Sequence, residues 1–170
     1  EVVGADNAEP MLREAEFKVV CRAERPGTVA GVPVSWVVAD GLALPFEDGR
    51  FDVVTVAFGL RNMPDYDAAL REMARVLRPG GRLLCLEMTP LRTPVIGPLF
   101  DLYFTKVVPV VGGVLSGDRD AYRYLPQSVA AFPPADDLAR MMQQAGFENA
   151  RYRLLGGGTV ALHSGVRAGR

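Results

Sequence analysis

Between Asp52 and Met88 the chain reads DVVTVAFGLRNMPDYDAALREMARVLRPGGRLLCLEM, and this run admits few folds. Asp52 to Phe58 is almost continuously apolar, which predicts a strand buried on both faces of a parallel sheet. Gly59-Leu60-Arg61-Asn62 brings in polar groups where that strand should end. Asp65, after Pro64, is placed to cap a helix. Tyr66, Ala69, Leu70, Met73, Val76 and Leu77 then share one helical stripe, with Asp67, Arg71, Glu72 and Arg75 opposite. Pro79-Gly80-Gly81 stops the helix, because Pro resists its continuation and Gly accepts positive φ. Arg82 to Met88 is a second strand. A strand–helix–strand crossover makes the two strands parallel and right-handed in connection. Ligands of such sheets sit beyond the carboxyl ends of the strands. Gly59, Arg61 and Asn62 fall there, with Glu87 and Met88.

At 170 residues the chain is long enough for one domain with a substantial core. A net charge of -1 implies no general attraction to nucleic acid. Cys21 and Cys85 show no metal or redox spacing, and Cys85 falls inside a predicted strand as a small core residue. No apolar run reaches the ~18–20 residues needed to span a bilayer. No secretory signal or internal repeat is visible. The chain begins inside a strand without an initiator Met, as a fragment, a processed chain or a chain with further sequence upstream would.

Val2 to Asp6 reads as a short strand ending in an acid, followed by a helix from Asn7 to about Val20. Such an acid suits a ribose diol, or it caps the helix. Arg22 to Pro33 reads as a loop, and Val34 to Val38 as a strand whose Trp36 packs in the core. Asp40-Gly41 ends that strand, and Asp40 either meets a ligand or stabilises its own turn. From Thr89 to Gly117 the apolar face is wide and broken by Pro94, Pro98 and Pro109. That suits a helix pair over the core or an apolar wall for a lipid tail. Pro134 to Ala145 is an amphipathic helix with Leu138, Met141 and Met142 inward. Phe147–Leu155 and Thr159–Val166 form an antiparallel hairpin across Gly156-Gly157-Gly158. His163, the only histidine, reads as structural, although its ordinary pKa leaves a catalytic role open.

Phe58-Gly59-Leu60-Arg61-Asn62, followed by Arg75-Val-Leu-Arg-Pro-Gly-Gly-Arg-Leu-Leu-Cys-Leu-Glu87, resembles the menaquinone/ubiquinone-biosynthesis C-methyltransferases. These are class I S-adenosylmethionine-dependent enzymes that methylate the ring of a prenylated quinol. LRPGG is common among methyltransferases, whereas FGLRN is more particular to this family. Arg78 and Thr89 stand where the family usually has Lys and Ser. The spacing from Asp40 through Leu44-Pro45-Phe46 to Phe51-Asp52 also recurs among methyltransferases. Asp118-Arg-Asp-Ala-Tyr122-Arg-Tyr124-Leu-Pro-Gln-Ser128 is similar to a segment near the family's substrate cavity.

The resemblance implies an α/β doubly wound, mostly parallel sheet with an antiparallel last strand. It implies one domain over residues 1–170, with a helical substrate-covering insertion at about 90–130. The family's first strand, glycine-rich loop and N-terminal helices have no counterpart here, so the resemblance covers the later two-thirds or so of a family member. By resemblance, Asp6 binds the ribose of S-adenosylmethionine, Asp40 and Gly41 flank its adenine, and Ala57 lines the pocket. No metal is implied. Arg61 stabilises a phenolate, and Asn62 orients the hydroxyl or a water. Asp120, Tyr122 or that water is the base. The partners implied are a prenylated quinol and no nucleic acid, with peripheral membrane contact and a homodimer left open. The expected location is cytoplasmic, up to the inner face of the membrane. A methyltransferase for another small molecule, a nicotinamide dehydrogenase and a truncated non-catalytic form are the competing readings. The dehydrogenase would need a G-x-G-x-x-G turn.

Overall fold

The computed structural model describes residues 1–22, 28–29, 32–91 and 119–169, with backbone alone for 21–22, 28–29 and 119–123. Two compact units, Glu1–Glu47 and Asp48–Arg170, are taken separately.

In the first unit, β1 (Val2–Asp6) pairs in parallel with β3 (Val32–Val38), joined through α1 (Glu9–Arg22). Gly4 lies opposite Trp36 in this ladder, and a Cβ on Gly4 would come within 2.3 Å of the indole ring. Trp36 therefore packs over a residue that has to be glycine. The stretch expected to be a loop contains β2 (Thr28–Val29), antiparallel to Val32–Pro33. Its β-branched pair suits an extended edge despite the surrounding Gly and Pro.

In the second unit the sheet order is β4 (Phe51–Ala57), β5 (Leu77–Met88), β7 (Val160–Arg167), β6 (Phe147–Leu155). β4 and β5 are parallel, and β7 runs antiparallel to both β5 and β6. The reversed last strand is thus as expected. α2 (Tyr66–Val76) starts where Asp65 Oδ1 accepts the Ala68 N–H at 2.8 Å, and it buries Ala69, Leu70, Met73, Ala74 and Val76. Leu77, expected on the helical stripe, instead begins β5, and the Pro79-Gly80-Gly81 stretch expected as a turn is an irregularity inside that strand, where the register against β4 shifts. Gly80 has φ +77°, and a Cβ on Gly81 would lie 2.8 Å from the Arg78 carbonyl. α3 (Arg119–Ala131) and α4 (Ala135–Gln144) follow, and α4 buries Leu138 and Met142.

The core lies on one face of this sheet. Leu83, Cys85 and Glu87 on β5 are buried there with Ala161 and His163 on β7. Val53, Leu84 and Leu162 remain 36–49% exposed. Within this unit the exposure of β4 alternates from Val53 to Ala57. Burial pushes the Cys85 thiol up to about 12, with the Glu87 carboxylate adding to the effect, so it is an inert core group.

His163 is structural, as expected. It is 1% exposed, and its Nε2 lies 2.9 Å from the Ala135 carbonyl, tying β7 to the start of α4. Nε2–H donates there, leaving the ring neutral. Burial lowers its pKa, partly offset by that hydrogen bond. A His held neutral stabilises the fold above its unfolded pKa of about 6.5 and loses that contribution as pH falls below it. Stability should therefore decline below about pH 6.5, with a limiting slope of ~1.4 kcal/mol per pH unit from this residue. Urea unfolding of the parent and His163→Gln at pH 7.5 and 5.5 checks this. Equal pH dependence in both proteins would contradict it.

Candidate active site

β4 ends at Ala57, and the chain turns at once. Phe58 has φ +55°, a left-handed conformation that costs an aromatic residue about 1–3 kcal/mol. Its N–H is held by the Leu86 carbonyl at 2.9 Å. Its own carbonyl accepts from Arg61 Nη1 at 2.8 Å and from Asn62 Nδ2 at 3.4 Å. The strained residue thus supplies the acceptor around which both polar side chains gather. Leu60 to Asn62 form one 3₁₀ turn, with Leu60 fully buried.

Arg61 is only 12% exposed, and Glu87, at the end of the neighbouring strand, is 1% exposed. Arg61 Nη1 donates to Glu87 Oε1 at 2.6 Å, and the Arg61 backbone N–H donates to Oε2 at 3.2 Å. The Met88 N–H adds a bond of 2.9 Å to Oε1. Asp65 caps α2, as its place after Pro64 predicts. Arg61 Nε is buried with no partner, and Nη2 takes none among the described residues. A buried donor left open is expensive unless something else comes to meet it.

Asn62 is exposed, and its Oδ1 accepts from the Tyr124 hydroxyl at 2.8 Å, so α3 reaches the loop. The Tyr66 hydroxyl is 3.5 Å from the Arg61 carbonyl, and its ring meets Phe132 edge-on at 5.2 Å. Burial raises the Tyr66 pKa, with Tyr124 and Glu87 adding to the effect, so Tyr66 is a donor here and not a base.

The first unit brings Asp6 and Asp40 to the same end of its parallel pair, with the Ala39 N–H bonded to the Asp6 carbonyl at 2.9 Å. Both acids stabilise their own turns. Asp6 Oδ1 accepts the Ala8 N–H at 2.8 Å, and Asp40 Oδ1 accepts the Leu42 N–H at 2.9 Å next to Gly41. Each keeps its second carboxylate oxygen unpaired among the described residues. Capping therefore occupies only one oxygen of each acid. Ala57 is the last residue of β4 in the second unit. Asp120 and Tyr122 lie in the first turns of α3, and their side chains fall outside the described residues. So does the apolar segment 92–118.

Phe58 and Tyr66 contact the loop without any signal in the sequence, whereas Glu87 was placed at the ligand end of the sheet, and Tyr124 in the segment near the cavity, without a role. Glu87 carried a signal: period-two alternation places it on the face of Leu83 and Cys85, where a carboxylate needs a partner.

Parallel strands with antiparallel closing strands, and a polar loop at the carboxyl end of β4, define a class I methyltransferase fold. A solved S-adenosylmethionine-dependent methyltransferase of Methanosarcina mazei matches with a TM-score of 0.66 at 18% identity, over 98% of this chain and 82% of that one. The profile of the ubiE/COQ5 methyltransferase family matches residues 1–167, and the chain belongs to that family. It is 50% identical over 167 residues to a demethylmenaquinone methyltransferase of Thermus thermophilus, covering 98% of this chain and 72% of that protein. To a mitochondrial 2-methoxy-6-polyprenyl-1,4-benzoquinol methylase of Rattus norvegicus it is 43% identical over 166 residues, covering 98% of this chain and 49% of that protein. The chain spans about half the length of the mitochondrial relatives it matches.

Proposed function

We propose that this chain carries the catalytic loop and part of the cofactor site of an S-adenosylmethionine-dependent C-methyltransferase acting on a ring carbon of a prenylated quinol. The observation that carries the reading is the buried, open Nε–H of Arg61 at the carboxyl end of β4. When bound, the cofactor supplies an electrophilic methyl group, so the protein's tasks are alignment and charge stabilisation. The free oxygens of Asp6 and Asp40 fit hydroxyl and amino donors of a ribose and an adenine. Ala57 stays with them on the family's pattern alone.

At the loop, a quinol ring becomes a better carbon nucleophile as its hydroxyl moves toward phenolate. Arg61 meets the developing oxyanion through the Nε edge. Its guanidinium stays charged, so it donates and does not accept the proton. Asn62 Oδ1 is engaged by Tyr124, which leaves its amide N–H to face the same oxygen or to hold a water. Asp120 and Tyr122 stay the candidate bases on the family's pattern alone. Among the described residues no helix is long and apolar enough to cross a membrane. A prenylated substrate resides in the bilayer, and we place the working position at its cytoplasmic surface.

The test uses the protein that carries this chain, S-adenosylmethionine and quinols with one to three isoprene units. One methyl group should appear on a ring carbon. Asp6→Ala should weaken calorimetric binding of S-adenosylhomocysteine about tenfold, the effect of losing a charge-assisted hydrogen bond of ~1.5 kcal/mol. Methylation on oxygen alone, or unchanged affinity, would reject the respective assignment.

A further inference from the structure

We propose that Glu87 is a positioning residue for ring methylation, which sets the free donor edge of Arg61; this rests on the functional reading of Arg61 given above. Glu87 accepts three hydrogen bonds, from Arg61 Nη1, the Arg61 backbone N–H and the Met88 N–H. Two of these hold the same residue by its backbone and its side chain. The angle between loop and guanidinium is thus fixed by one carboxylate at 1% exposure. The second hydrogen of Nη1 goes to the Phe58 carbonyl at 2.8 Å. Nη1 is then saturated.

What remains is a consequence of guanidinium geometry. The five donors form a rigid planar fork, so fixing Nη1 fixes Nε and Nη2 as well. Both are without a partner among the described residues, and Nε is buried. The pair also tempers charge. A lone buried guanidinium would hold any anion, whereas one paired with Glu87 is close to neutral and offers direction more than field. Such an edge favours an oxyanion in one place, as an aligned transition state requires.

A purely structural ion pair is the competing role, and a cycle of variants separates the two. Glu87→Gln keeps the volume and removes the charge and one acceptor. Single-turnover methyl transfer and S-adenosylhomocysteine affinity are measured for the parent, Glu87→Gln, Arg61→Leu and the double variant. Glu87→Gln should slow the chemical step ~10–100-fold, the scale of misplacing a reacting group by about an ångström. Cofactor affinity should change less than twofold. In the Arg61→Leu background, Glu87→Gln should slow nothing further.

An equal slowing in both backgrounds would overturn the positioning role while leaving Arg61's role intact. So would a Glu87→Gln protein as fast as the parent when Arg61→Leu is slow. An Arg61→Leu protein at the parent rate would remove the catalytic reading of Arg61, and the positioning role with it. If Arg61→Leu does not fold, Arg61→Lys takes its place in the cycle, since it keeps the charge and lacks the Nε edge.

Discussion

Replacing Arg61 with leucine is expected to cost about 3–5 kcal/mol of folding stability, the scale of leaving one member of a buried ion pair uncompensated. The loop position alone suggests otherwise, since an exposed arginine could be removed at little cost. Burial decides the matter. Glu87 is 1% exposed and Arg61 12%, so water cannot replace the lost partner. The 2.6 Å bond to Nη1 disappears while the carboxylate stays under the loop. Adding Glu87→Gln should restore part of the loss, because an amide is cheaper to bury unpaired than a carboxylate. Chemical denaturation of the parent, Arg61→Leu and the double variant checks this. A loss below ~1 kcal/mol for Arg61→Leu would show that the pair is screened by solvent.

Much of this fold was legible in the sequence, for physical reasons that differ by element. α2 was readable because its cap and stripe agree: Asp65 and the Ala69–Leu70–Met73 face both hold in the structure, while the helix ends at Val76, ahead of the Pro-Gly-Gly stretch that β5 takes up. The Phe147–Leu155 hairpin was readable because a short glycine link leaves only an antiparallel pairing. Arg61 and Asn62 were found through their place at a strand end, which topology supplies. Tyr124 was not assigned, because its bond to Asn62 spans 62 residues and no local pattern encodes it. The left-handed Phe58 was equally invisible, since nothing in an aromatic side chain announces positive φ. At Asp6 and Asp40 two uses were weighed as rivals, and the structure assigns one oxygen to the turn and leaves the other free.

Asn62 gives the cleanest access to the chemistry, because its side chain carries little of the fold. It is exposed, its contact with the Phe58 carbonyl is a long 3.4 Å, and α2 is capped by Asp65 rather than by Asn62. Its one short bond, from Tyr124 at 2.8 Å, is exposed and exchangeable with water. Asn62→Leu should therefore melt close to the parent and bind S-adenosylhomocysteine as tightly. Loss of a preorganised donor to a developing oxyanion costs ~10²–10³ in the chemical step. The decisive measurement is the single-turnover rate of methyl transfer to a prenylated quinol at saturating cofactor, which slow product release cannot mask. The account predicts a fall of ~10²–10³ for Asn62→Leu with folding and cofactor affinity intact. Transfer at the parent rate would mean that the loop serves the structure and not the reaction.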